Sequence, residues 1–177
     1  FELRGFYAER VPLFTAYQKQ RVRELMEEHR ARFVAISPGL FKFPLPARER
    51  DRFPLSAIDV ALYGQWQDAR DRLAYHLEEL LPASVEYAQE LGVERIVTFG
   101  FSRGGLPPGE APAEAVEALR RAAEVVGGAG MVLLIEVEEG LWADTGSRTA
   151  AMVEAVGHAA LGVNWDPGNA IAAGDVP

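Results

Sequence analysis

An α/β fold of parallel βαβ units, the pattern of a (β/α)8 barrel, is predicted by three features of this 177-residue sequence. Apolar runs of strand length alternate with amphipathic helical stretches along the whole chain, which implies parallel βαβ units. The runs are continuous, as in strands buried on both faces, and two of them, Val132 to Glu136 and Gly162 to Asp166, stop at a carboxylate. An eight-unit barrel of about 250 residues has roughly 31 per unit, so this chain holds between about five and six units, a barrel missing its ends. An open doubly wound sheet is the alternative, but no glycine-rich phosphate loop of Rossmann or P-loop type supports it.

The elements follow in order. Phe1 to Gly5 has the pattern of a strand end, and Thr15 caps an amphipathic helix to about Arg30, with Val22, Leu25 and Met26 on one side. Phe33 to Ile36 is a short strand closed by Ser37-Pro38-Gly39. Residues 40 to 56 form a long polar connection broken by prolines, and its charge patch, Arg48-Glu49-Arg50-Asp51-Arg52, belongs to a solvated loop or a lid. From about Gln65 a helix runs to Leu81, and Pro82 restarts it as a second segment ending at Gly92. Arg95 to Phe101 is the next strand. Pro112 opens a helix with Val116, Leu119, Ala123 and Val126, ending in Gly127-Gly128. Met131 to Glu136, a short helix capped by Ser147 that carries Met152 to Val156, and a strand from Leu161 to Trp165 complete five strands and at least four helices.

Composition narrows the function classes. Hydrophobic residues at 49% and charged ones at 25% describe a globular domain, and a single domain is expected. The net charge of -8 opposes binding to phosphate backbones, so nucleic acid is not an expected partner. With no cysteine there is no disulfide framework and no thiolate site, which fits a cytoplasmic protein. No apolar run approaches membrane-spanning length. The chain opens on a strand end and stops at Pro177 where another element is expected, so it reads as an interior piece of a longer domain.

A carboxylate at the carboxyl end of a parallel strand points into the mouth of the sheet or barrel, where ligands bind. Glu136 and Asp166 could there share one divalent metal; equally, each could cap the turn or helix that follows. Lys42 and Arg103 follow strands and could bind a phosphate or carboxylate, although long basic side chains in loops are usually solvated. Of Glu2 and Arg4, one is expected to face the interior and the other a helix, with Glu2 inside. Trp142 could wall a pocket against a sugar ring or simply pack in the core. His29, His76 and His158 fall in predicted helices or at a helix end and are not expected to be ligands, and no histidine accompanies Ser37 or Ser102 to build a serine triad.

The chain also resembles the xylose isomerase-like TIM barrels, which comprise sugar and sugar-phosphate isomerases and epimerases together with endonuclease IV-type enzymes. Ile135-Glu136-Val137-Glu138, Trp142-Ala143-Asp144-Thr145-Gly146 and Gly162-Val163-Asn164-Trp165-Asp166-Pro167-Gly168-Asn169-Ala170 carry the likeness. Glu2-Leu3-Arg4-Gly5, Ile36-Ser37-Pro38-Gly39 with Phe41-Lys42, and Ala88 to Gly92 ahead of Ile96 to Phe99 support it. By this resemblance the chain holds barrel strands two to six, incomplete at both ends, and Glu136 and Asp166 match the metal-ligating acids at the ends of strands five and six. A histidine on strand seven and a glutamate on strand eight would complete the family's site.

What the resemblance implies is a divalent cation (Mn2+, Mg2+, Co2+ or Zn2+) acting as Lewis acid on adjacent sugar oxygens, with Glu136 also moving a proton α to a carbonyl. Asn169 and Glu138 stand where relatives often carry histidine, and both are candidates for substrate contact. The implied activity is a metal-dependent isomerase or epimerase of a small sugar, sugar phosphate or polyol, or a dehydratase with the same base. A non-catalytic sugar-binding barrel and an endonuclease IV-type nuclease are the rivals, and a homodimer is the candidate assembly.

Overall fold

Thr15 opens the first helix for the expected reason. Its hydroxyl accepts the backbone N–H of Gln18 while the Gln18 side chain accepts that of Thr15, a reciprocal box that satisfies two orphan donors of α1 (Ala16–Glu28). This computed structural model describes residues 1–45, 69–104 and 106–175. The expected charge patch at 48–52 and the start of the helix at Gln65 lie outside the described residues.

Five strands form one parallel sheet in the order β1 (Glu2–Leu3), β4 (Ala35–Leu40), β5 (Arg95–Phe99), β6 (Val132–Glu136) and β7 (Leu161–Asn164). Each next strand is added beside the last, with helices between, which is the winding of a (β/α) barrel. The described residues form an open arc of about half a barrel in which β1 and β7 are edges. No helix among them is long and apolar enough to cross a membrane.

Cross-strand partners carry their side chains on the same face of a sheet. One row, Leu3, Ile36, Ile96, Leu133 and Leu161, is buried in the hydrophobic core. It shares that core with Leu119, Ala122, Ala123 and Val126 of α4 (Ala113–Gly128) and Met152 and Val156 of α5 (Gly146–Val156). The alternate residues, Glu2, Ala35, Leu134 and Gly162 among them, face the other way, toward the barrel interior.

Several expected boundaries move. β4 starts at Ala35 rather than Phe33 and runs through Ser37-Pro38-Gly39 to Leu40, all six residues buried. A register shift between Ile36 and Leu40 lets this strand carry a proline and a glycine at φ 80°. The connection after it is not polar at its start, because Phe41, Phe43 and Leu45 are buried in the core. Gly5–Phe6 and Glu9–Arg10, β2 and β3, form an antiparallel hairpin that the sequence reading did not contain. Its turn, Tyr7-Ala8, has both residues at positive φ (51° and 65°) without the Asn-Gly pair that usually announces such a turn. A side chain at Gly5 would begin 2.7 Å from the Glu9 carbonyl oxygen, so this hairpin needs glycine there.

Helices α2 (Ala69–Tyr75) and α3 (Leu81–Leu91) are joined by a π-helical turn, His76–Leu80. The proline that was expected to break the helix sits in the first turn of α3, and the N–H of Leu81 bonds back five residues to the carbonyl of His76. Gly92 closes α3 in the left-handed region at φ 66°. Thr145, not Ser147, is the N-cap of α5, accepting the N–H of Arg148 at 3.3 Å. α6 (Pro167–Ala172) is short, and its N-cap is Asp166.

The π turn holds His76 in the core against Phe41 and Phe43. Its Nδ1 accepts the backbone N–H of Phe41 at 3.0 Å, and burial, helped by Arg72 and Arg10, pushes its pKa down to about 3. The folded protein therefore refuses a proton that the unfolded chain takes up below about pH 6.5. Stability from this histidine is complete above that pH and falls by about 1.4 kcal/mol per unit as pH drops toward 3. Urea unfolding should show a loss of about 2 kcal/mol from this group between pH 7 and 5. In the folded protein the His76 imidazole resonances should not titrate above pH 5, and a midpoint near 6.5 would refute the assignment.

Candidate active site at the carboxyl ends of the strands

Phe99, Glu136 and Asn164 are successive partners across β5, β6 and β7, so they stand side by side at the carboxyl end of the sheet on its interior face. Glu136 is half-buried, and its Oε2 accepts a hydrogen bond from Asn164 Nδ2. Burial raises the Glu136 carboxyl above its ordinary range; the Asn164 donor opposes this, Glu2 and Asp166 reinforce it by repulsion, and Arg4 lowers it. Glu2, Arg4, Glu136 and Asp166 therefore share one electrostatic neighbourhood, drawn from three different strand ends. Here the expectation for the first strand is corrected. Glu2 and Arg4 both act on Glu136, and Arg4 is not turned away to a helix, because residues two apart on an extended chain share a face.

Asp166 does what the capping alternative describes with one oxygen. Its Oδ1 accepts the N–H of Asn169 at 2.9 Å. The Asn169 side chain in turn donates from Nδ2 to the Val137 carbonyl at 3.0 Å, so the residue expected to contact substrate joins α6 to the chain just past Glu136. Among the described residues no partner reaches Asp166 Oδ2 or Glu136 Oε1.

The loops that follow the strands carry the remaining candidates. Lys42 Nζ lies 2.9 Å from Glu138 Oε1 and 4.8 Å from the centre of the Phe99 ring, so these two candidates form one ion pair beside Glu136's neighbour. Arg103 Nη2 lies 3.0 Å from Asp144 Oδ2, and Arg148 Nη1 2.5 Å from Asp144 Oδ1. Asp144 is 2% exposed. Trp142 is buried in the core rather than laid open as a pocket wall, with its N–H donor unpartnered among the described residues. His29 lies at the end of α1 and His158 before β7, away from the carboxyl ends of the strands, while His76 in the π turn is buried in the core against Phe41, just past the end of β4. Asn164 and Asp144 are not candidates in the sequence, and Arg4 enters there only as the alternative to Glu2. Only the position of Asn164, two before Asp166, hinted at a shared face.

Two carboxylates on neighbouring strand ends, each keeping one oxygen unbonded, suit a hard divalent cation that prefers oxygen ligands. The described residues contain no group of three or more histidines, aspartates or glutamates placed to hold a metal. Glu136 and Asp166 are the two residues that could contribute carboxylate oxygens to such an ion.

An acidic mouth on an open arc of parallel strands is the class of site that this fold defines. The chain belongs to the xylose isomerase-like TIM barrel family, whose model matches residues 1–177. Among solved structures it is similar to a xylose isomerase-like TIM barrel protein from Mycobacterium smegmatis in complex with magnesium (18% identity, TM-score 0.55), covering 89% of this chain and 48% of that one. The probable 3-DHS dehydratase AsbF from Bacillus anthracis, involved in petrobactin synthesis, is 16% identical with a TM-score of 0.58, over 90% of this chain and 49% of that one. D-allulose 3-epimerase from Methylomonas sp., in complex with D-allulose, is 19% identical with a TM-score of 0.53, over 85% and 48%. The chain spans about half the length of these structures, and at this identity the likeness concerns the fold. No curated protein matches it significantly.

Proposed function

We propose that this protein is a metal-dependent isomerase or epimerase of a small sugar, sugar phosphate or polyol that works through an enediolate. The observation that carries this reading is the Glu136 and Asp166 pair, close enough to repel and each with an oxygen left open at the carboxyl ends of β6 and β7. A bound divalent cation, Mn2+, Mg2+, Co2+ or Zn2+, would supply Lewis acidity to the substrate's oxygens. Glu136 and Asp166 would hold it. Glu136 is also the base: a half-buried carboxylate with a raised affinity for protons is suited to take one from carbon and return it elsewhere.

Lys42 and Glu138, paired at the mouth, would order substrate hydroxyls, and Arg103 would meet an anionic group. Glu2 and Asn169 would contact substrate from β1 and α6. The similar folds include a D-allulose 3-epimerase and a probable dehydratase, and proton abstraction beside a carbonyl is a step from which either epimerisation or dehydration can follow. Dehydration is the second reading, since it needs the same base and differs only in the group that leaves. A multi-histidine phosphodiesterase site is disfavoured by the placement of the three histidines.

The test is incubation of the protein with manganese or cobalt and a panel of aldoses, ketoses, sugar acids and sugar phosphates in deuterated water. Deuterium should enter the carbon next to the carbonyl of at least one of them. Absence of exchange into every member of the panel would sink the proposal.

A further inference from the structure

Both site carboxylates are held from one side only. Glu136 Oε2 takes its hydrogen bond from Asn164, the residue directly opposite on β7, and Asp166 Oδ1 takes its own from the N–H of Asn169. The Asn169 amide crosses back to the Val137 carbonyl, one residue past Glu136. Two asparagines thus tie β6 to β7 and to the start of α6 at the point where the acids project. An ionised carboxylate only accepts hydrogen bonds, so the amide nitrogen of Asn164 must be the atom that faces Glu136. A carboxylate free of such a bond can exchange its two oxygens and its rotamers; one oxygen fixed by a donor leaves the other with a single position.

We propose that Asn164 and Asn169 are the positioning residues of this site, an amide clamp that directs Glu136 Oε1 and Asp166 Oδ2, and not the other two oxygens, toward the bound ligand. That this ligand includes a divalent metal rests on the reading in the preceding section. The clamp makes Asn169 a support for the site through its nitrogen, with its side-chain oxygen left to meet substrate. It also accounts for the sequence Asn164-Trp165-Asp166: on an extended segment the two polar residues share a face, and one serves the acid on the neighbouring strand while the other is itself an acid.

The experiment compares manganese(II) binding, followed by electron paramagnetic resonance, in the wild type, Asn164→Leu and Asn169→Ala, each as the full chain stripped with EDTA. Loss of a donor behind a metal ligand should weaken binding by about 10–100-fold in Asn164→Leu. Asn169→Ala keeps the backbone cap of Asp166 and loses only the tie to Val137, so it should weaken binding less, by about tenfold. Thermal unfolding in EDTA reports whether each variant folds; should Asn164→Leu not fold, Asn169→Ala carries the test. Affinities within about threefold of wild type in the folded variants would overturn the clamp, since the donors cost about tenfold or more where they orient a ligand. A wild type that binds no manganese would instead refute the metal reading. The clamp is then decided by crystal structures of the metal-free wild type and Asn169→Ala or Asn164→Leu. New conformers of Asp166 or Glu136, confined to the variant, uphold it, and an unchanged single conformer overturns it.

Discussion

Glutamine at position 136 is expected to slow proton exchange by about 10²–10⁴-fold, the range that a positioned general base contributes. The Glu136→Gln side chain has the same length and occupies the same place opposite Asn164. Its amide cannot take a proton from carbon, and as a neutral ligand it holds a divalent cation less well. Asp166→Asn separates these two losses, because Asp166 is assigned metal binding without proton transfer. Deuterium wash-in measured against manganese concentration should recover in Asp166→Asn as the metal is raised and stay low in Glu136→Gln. A Glu136→Gln rate within about threefold of wild type at saturating metal would remove Glu136 from the role of base, since a real base is worth at least about a hundredfold.

The parallel architecture was legible because its signals are local and repeated. Each buried strand is a continuous apolar run, and helix ends are marked by residues such as Thr15 and Gly92, whose chemistry acts within a few positions. What the sequence concealed depends on contacts between distant segments or on conformations without a local marker. The Tyr7-Ala8 turn uses positive φ in two residues that rarely adopt it. β4 passes through Pro38 and Gly39 because a register shift relieves the pairing there, and nothing local distinguishes this from a turn. Ser147 resembles an N-cap as well as Thr145 does, and only the extended backbone of Thr145 decides between them.

The site divides in the same way. The acids at 136 and 166 were visible because each ends an apolar run, but their surroundings were not, since the register of β6 against β7 determines that Asn164 meets Glu136. Lys42 and Glu138, unconnected in the sequence, form one ion pair in the structure. Glu2 and Arg4, two residues apart on an extended segment, share a face, so strand alternation does not separate them. Both lie within electrostatic reach of Glu136.

Removing the Asp144 carboxylate should cost the fold about 3–5 kcal/mol, the range for breaking a buried ion pair from one side. Asp144 lies just before α5 and accepts from Arg103 and Arg148. The two cations are not equivalent. Arg148 keeps a third of its side chain in water and can swing out. Arg103 is 12% exposed, and its Nε and Nη1 already lack partners among the described residues, so Asp144 is its one acceptor there. In Asp144→Ala the Arg103 charge is left buried with nothing to balance it, and that penalty dominates. Lys42 and Glu138 are more exposed, and separating them should cost under about 1 kcal/mol. Urea unfolding at pH 7 measures both. A loss below about 1 kcal/mol for Asp144→Ala would show that Arg103 finds water or another acceptor when its partner goes. The double variant Arg103→Met with Asp144→Ala should recover part of the loss, because removing both charges eliminates the uncompensated one. If it is instead as unstable as the sum of the single variants, the cost lies in packing around Asp144 and not in its charge.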